Sequence, residues 1–348
     1  NLIAGNGYVI EITNPFATGN LVQGNFVCTN TGATLDLGNA TWGVRVTGGA
    51  ISNTIGGGTA AHGNVIAFND GPGISSTGAS TQANSFRRNR IFSNVGEGIR
   101  LENGSNGGIA LPVVTSVNLA NNTISGTAAA NAGIDVFTDL GGQGKDLIGS
   151  GTANGAGVFL VSISNPDAQG ERNVSLTQTS SANNTSQFLT LYRPQITPPV
   201  DNDDLIIDEF WLPYDLTQHE FEQNALDADL HWSISPAIST KYQASIDLDD
   251  ELTITPLLDG TAPATLTLTD KYGFTVSQPI VIAVSVDKPG APVVVLLPDD
   301  PKAQKDNLVA IALGGSVQDG AERTYSFQWF KNDVLQTTED TDPQLPGV

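Results

Sequence analysis

Short runs in the first third of the chain alternate apolar and polar positions. In GVRV (43–46), GISS (73–76) and GIRL (98–101), Val44 and Val46, or Ile99 and Leu101, flank a residue that points the other way. That period of two predicts half-buried strands. Before these runs the pattern Asn-x-apolar-x-x-Asn recurs: NLIAGN at 1, NLVQGN at 20, NVIAFN at 64 and NRIFSN at 89, with offsets of 19, 44 and 25. Reading 44 as two units of 22 predicts a repeat of about 20 to 25 residues, the size of a solenoid unit. The 20 glycines of residues 1–107 exclude long helices there, because each costs about 1 kcal/mol against Ala in a helix interior. Asparagine tolerates left-handed backbone and bonds its own main chain, so an Asn at each corner is expected to stack on the next.

The texture changes after residue 110. NTISGTAAANAGIDVF, GKDLIGSGTANGAGVFLVSI and NVSLTQTSSANNTSQF carry β-type runs at about ten-residue spacing, which predicts a sandwich. RPQITPPVDNDD (193–204) is proline-rich and charged and reads as a linker. ELTITP, TLTLTDKYGFTV and PIVIAVSV then give alternating strands through 287, and a further β module runs from 288 to the end.

These patterns carry resemblances. NTIGGGTAAHGNVIAFNDGPGI (53–74) is similar to the N-x-IGG…GN-x-I-x-x-N…G-I units of large bacterial surface proteins, within the right-handed parallel β-helix repeats of the pectate-lyase-like superfamily. Residues 110–192 resemble a small Ig-like module that follows such repeats, 205–287 resemble cadherin-like or dystroglycan-type modules, and 288–348 resemble a tandem Ig-like module. The implied fold is all-β: a short right-handed parallel β-helix over 1–109, an Ig-like sandwich, the linker, a cadherin-like sandwich and a last Ig-like sandwich. NLIAGN already reads as part of a repeat, and the end falls inside a module, so the chain is expected to be a fragment of a longer, secreted or cell-surface polypeptide.

Charge sharpens the picture. The net charge of −21 is concentrated in residues 201–348, which carry 26 acids against seven bases, whereas residues 1–107 balance five acids with five arginines. That argues against a nucleic-acid surface, and no apolar run approaches the ~20 residues of a spanning helix. The single Cys28 forms no internal disulfide and is expected to be a buried, inert thiol.

The arginines of NSFRRNRIFSNVGEGIRLENG raise the question of catalysis. Lyases of the β-helix type remove a proton beside a uronate with a basic residue while a cation neutralises the carboxylate. Arg45 and Arg100 occupy comparable outward positions, with Ser75 between them, and no aspartate cluster accompanies them. Arg45, Arg100, Arg87 and Arg90 are therefore candidates for glycan contact, with a solvated outer face as the alternative; Glu97 and Glu102 stand ready as ion-pair partners. His62, His219 and His231 lie apart, without a nucleophile motif. In the acidic module the resemblance puts an aspartate pair at Asp227 and Asp229, with Asp270 before the KYG turn, as candidate Ca²⁺ ligands; a solvated acidic surface is the alternative. The expected function is a non-catalytic adhesion or stalk segment contacting polysaccharide or another surface component, set against a polysaccharide lyase or hydrolase with catalytic coils elsewhere, or a pure spacer.

Overall fold

The structure is a computed structural model that describes residues 1–6, 10–166, 172–207, 213–223 and 229–285, and beyond these the backbone of strands Val293–Leu297, Val309–Leu313, Trp329–Lys331 and Val334–Gln336. The described residues form strands joined by turns and short 3₁₀ segments.

In residues 1–107 the strands pair in parallel. One sheet runs Leu2–Ile3, Phe26–Val27, Val65–Ala67, Arg90–Phe92; a second runs Ile10–Thr13, Val44–Thr47, Ile74–Thr77, Ile99–Glu102; a third pairs Leu21–Val22 with Thr54–Ile55. Register is strict: Ile10, Val44, Ile74 and Ile99 align across one sheet, and Ile3, Val27, Ile66 and Ile91 across another. Val27, Val44, Val46, Ile55, Ile66, Ile74, Ile91 and Ile99 make one buried core between the sheets.

Asparagine ladders set this register. Asn1 donates through its side chain to Asn25, and the Asn25 backbone and side-chain N–H groups both reach Asn64 Oδ1 at 3.0 Å. Asn64 does the same to Asn89, Asn20 to Asn53, and Asn69 to Asn94. The left-handed corner falls one residue earlier than the sequence suggests: Gly19, Gly24, Ser52, Phe68, Ala83, Arg88 and Ser93 have positive φ, and the Asn that follows each is free to aim its amide along the stack. The 22-residue spacing is also corrected. Asn1 stacks on Asn25, not on Asn20, which begins a separate ladder, and the passes are 24, 39 and 25 residues long. The long pass contains residues 28–38, where the buried Cys28 thiol, pushed up to about 12 by burial and by Asp36, replaces an amide next to Asn39 and Asn69.

Residues 110–192 form two antiparallel sheets. Val113–Asn118, Thr123–Thr127 and Val158–Ser162 face Asp146–Thr152, Gly133–Asp139, Asn173–Thr179 and Leu189–Leu191. Ile124, Ile134, Val136, Phe159, Val161, Val174 and Leu176 fill the space between. The next sandwich sets the sheet Ile206–Ile207, Thr275–Val284, Gly260–Asp270, Leu230–Ser235 against Tyr214–Asp215, Glu251–Pro256, Tyr242–Ile246. Its core is Leu230, Trp232, Tyr242, Leu252, Leu266, Leu268 and Ile282.

The stretch expected to be a linker, 193–204, is packed instead. Gln195–Ile196 pairs with Glu220–Phe221, Val200 is buried, and Gln278 bonds both its N–H and its carbonyl. Prolines keep this stretch extended, and extended backbone can add to a sheet edge. At the tip of the long hairpin Phe274 is fully buried in the core of the preceding module, under the Arg193 guanidinium at 4.3 Å. The module expected over 288–348 lies largely outside the described residues; two antiparallel strand pairs are described in it.

Candidate functional site

The outer face of the second parallel sheet carries the row Glu11, Arg45, Ser75, Arg100 in consecutive strands. Parallel pairing places each about 4.8 Å from the next. Arg45 faces Glu11 at 3.6 Å and covers the Trp42 ring at 4.4 Å, while Arg100 bonds Glu102 at 2.9 Å and lies 4.0 Å from Glu97. Ser75 is buried, so it separates the two arginines without linking them. The row is thus charge-compensated and partly exposed, and such pairs contribute about 0–1 kcal/mol each.

The other arginines lie elsewhere. Arg87, Arg88 and Arg90 sit where the stack meets the Ig-like sandwich. Asp135, 1% exposed, takes a two-pronged bond from Arg87 at 2.9 and 2.7 Å, a longer one from Arg88 Nε, and a hydroxyl from Ser150. Arg88 also bonds the Gly58 carbonyl. Arg90 reaches Asp146 at 3.3 Å, and Arg172 reaches its other oxygen at 2.8 Å. Between these groups opens a cleft of about 430 Å³ lined by Arg88, Arg90, Thr138, Asp146, Ser164 and Asn165.

The sandwich closes the end of the stack by continuing its ladders. Gln143 Oε1 accepts the Asn94 backbone and side-chain N–H groups as a further Asn would, and Gln143 returns its own amide to the Asn94 and Gly96 carbonyls. Thr185 Oγ accepts Phe86 N–H, Gln187 Oε1 accepts Leu101 N–H, and Asn184 Oδ1 accepts Ala83 N–H. Phe188 plugs the apolar end between Gly98 and Gly144, edge-on to Phe137 at 5.5 Å. Buried Asp139 holds the loop that delivers Gln143 by accepting the N–H groups of Gly142, Gln143 and Gly144; burial still pushes its carboxyl up. Sequence reasoning missed Asp135, Gln143, Thr185 and Gln187, and only the Asn-type spacing of the stack hinted that its last rung needed such acceptors.

In the acidic sandwich Asp227 lies outside the described residues. Asp229 takes the Lys271 ammonium at 2.6 Å, and Asp270 Oδ1 accepts the N–H groups of Tyr272 and Phe274, while its Oδ2 is buried without a partner. Among the described residues no group of three or more His, Cys, Asp or Glu could hold a metal ion. Glu222 belongs to the same neighbourhood: burial, then the Asp270 charge, push it up to about 7 against the pull of Lys271. Its folded form therefore holds a proton that the unfolded chain releases near 4.5, so stability is full below that pH and falls as pH rises through about 7. Glu222→Gln is expected to melt higher than wild type at pH 8 and together with it at pH 4, a difference read from thermal unfolding across pH.

Among the described residues no helix is long and apolar enough to cross a membrane. Residues 110–195 match the family model of a bacterial Ig domain. No curated protein matches the chain. Among solved structures the chain is similar to the BSP domain of a biofilm-associated protein, at 16% identity over 53% of this chain and 31% of that one, with a TM-score of 0.19. It is also similar to extracellular cadherin domains 1–4 of protocadherin gamma B7 (10% identity, 59% and 55%, 0.22) and to the human desmocollin-1 ectodomain (12%, 59% and 39%, 0.21). The chain spans between about a third and just over half of the length of these structures.

Proposed function

We propose that the chain is a non-catalytic segment of a surface adhesion protein, in which a right-handed parallel β-helix, an Ig-like module and a cadherin-like module form a stiff stalk that presents contacts for polysaccharide. One observation carries this reading: the described units are joined by buried contacts. The Ig-like sandwich completes the ladders of the stack, and Phe274 enters the core of that sandwich from the other side. Joints of that kind keep successive modules in line, and an extended, regularly spaced surface lets weak contacts to a repetitive polymer add up. The match of residues 110–195 to a bacterial Ig domain supports the modular part, and the parallel, in-register pairing of the strands of 1–107 supports the β-helix.

Displaying the whole chain on a bacterium that does not otherwise adhere tests the reading. Retention on polysaccharide-coated surfaces without chain cleavage is the expected result. Release of unsaturated sugar would overturn it in favour of a lyase, and no retention on any coating would leave a spacer. Millimolar Ca²⁺ belongs in the same series. Occupancy at Asp229 and Asp270 has to displace the Lys271 ammonium, so a melting temperature unmoved by Ca²⁺ in both wild type and Lys271→Ala removes calcium from the reading.

A further inference from the structure

A second cleft, of about 460 Å³, opens where residues 95–99 of the last rung meet residues 141–143 and 187–192 of the Ig-like sandwich. Its volume falls among small-molecule sites, which span about 300–1,000 Å³. The stack itself explains the opening. At this corner of earlier rungs two adjacent N–H groups donate to the next rung: Gly43 and Val44 to the Pro72 and Gly73 carbonyls, Gly73 and Ile74 to the Glu97 and Gly98 carbonyls. Gly98 and Ile99 hold the same places in the last rung. Among the described residues no carbonyl takes their N–H groups, although Gln187 takes that of Leu101, two residues on. The sandwich thus stops a strand short at this corner.

The cleft walls carry polar atoms that the fold leaves unused. Gln187 spends its Oε1 on Leu101, but its Nε2 and the Tyr192 hydroxyl have no partner among the described residues, and neither is sealed from water. Gly141 is exposed, and its backbone N–H and C=O join no hydrogen bond. Gln143 and Thr190 also line the space, but their polar atoms are taken. Glu97 is the one charged residue among the lining side chains; it is more than half exposed and lies 4.0 Å from Arg100. Val95 and the Phe188 and Tyr192 rings add apolar surface.

We infer that this cleft binds a neutral sugar unit, whose hydroxyls bond Tyr192 Oη, Gln187 Nε2, the Glu97 carboxylate and the Gly141 backbone while its ring lies against Tyr192. Sugar hydroxyls donate and accept at once, and the site offers both senses: a carboxylate acceptor, an amide donor and a phenol. A tyrosine joins an apolar ring to a polar tip, which suits a ligand with C–H faces and hydroxyl edges. An acidic sugar is disfavoured, because the charge that lines the cleft is negative. The inference deepens the polysaccharide contact proposed above and rests on it, but it gives that contact a neutral chemistry and a place apart from the row of Arg45 and Arg100.

Calorimetric titration of the whole chain tests it, with soluble oligomers of glucan, mannan and N-acetylglucosamine as neutral probes and oligogalacturonate as the acidic one. Saturable binding of at least one neutral oligomer, unchanged by added salt, is expected. Tyr192→Phe, which removes only the hydroxyl, should weaken it about tenfold. Gly141→Trp adds a ring at a position where a Cβ meets nothing within 4 Å; it should block binding without moving the melting temperature. Arg45→Gln should bind as wild type does. Neutral binding undiminished in both cleft variants, or lost in Arg45→Gln, would overturn the cleft site. If wild type bound only oligogalacturonate, this site would fall and the polysaccharide reading survive, and if no oligomer bound, both would fall.

Discussion

Asp135→Ala is expected to destabilise the joined stack and Ig-like module by about 3–5 kcal/mol, the cost of removing one partner from a buried ion pair. The carboxylate is 1% exposed and gathers Arg87, Arg88 and the Ser150 hydroxyl from both sides of the seam. Without it two guanidinium groups, each about a fifth exposed, face one another with no anion between them. Like charges at such a range repel, and neither side chain has water enough to screen the other fully. Asp135→Asn keeps the shape and one acceptor and should lose less. Glu102→Ala, which breaks only the surface pair with Arg100, should cost at most about 1 kcal/mol. Urea unfolding makes the comparison, followed by hydrogen exchange of the Ile74–Thr77 and Ile99–Glu102 amides for the stack and far-ultraviolet circular dichroism for the whole. Wild type should give coincident transitions, and Asp135→Ala an earlier one for the stack. A loss below that of Glu102→Ala would show that the seam does not depend on this carboxylate.

Asn64→Ala is the second large effect, at about 2–3 kcal/mol, because a buried polar group left without a partner costs about 1–3 kcal/mol and the remaining ladder bonds of the side chain are lost with it. Asn64 is fully buried and serves four partners: its oxygen accepts two N–H groups of Asn25, and its amide reaches the Val22 carbonyl at 2.8 Å and Asn89 Oδ1 at 2.9 Å. Alanine leaves the Asn25 backbone N–H in the interior without its acceptor, while the Val22 carbonyl keeps the Gly56 N–H. Asn20→Ala is the informative contrast, since Asn20 is exposed and only donates, to Asn53. Hydrogen exchange locates the damage. Protection of the Asn25 and Phe26 amides should fall in Asn64→Ala and stay unchanged in Asn20→Ala. Equal behaviour of the two variants would mean that the ladders add nothing to register beyond the parallel sheets themselves.

Much of this arrangement can be read from the chain, within limits that have physical causes. Alternation in GVRV and GIRL announces strands because a pleat sends neighbours to opposite faces, and the recurring Asn marks corners because its amide can bond main chain. The columns, however, are ambiguous. NLVQGN at 20 and NLIAGN at 1 share a motif, yet Asn1 stacks on Asn25 and Asn20 on Asn53. Two corners of one pass need the same chemistry, so motif alone cannot assign them, and the residues 28–38 stretch one pass to 39 residues without interrupting the ladder. Among the candidate residues, the placement of Arg45 and Arg100 in one row follows from strand alternation and repeat spacing. The partners of Arg87, Arg88 and Arg90 lie 47 to 56 residues away, and no local pattern links them.

What the sequence determined by itself, then, was whatever depends on neighbours along the chain: extended runs, glycine and asparagine corners, an acidic second half, and the sparse cations of the first. What only the tertiary structure decided was which carboxylates those cations meet. Arg100 finds Glu97 and Glu102 within a few residues, but the charges of Arg88 and Arg90 are set by how the sandwich docks on the last rung. Ion pairing depends on distance through space, and that distance exists only once Gln143, Thr185 and Phe188 have closed the stack.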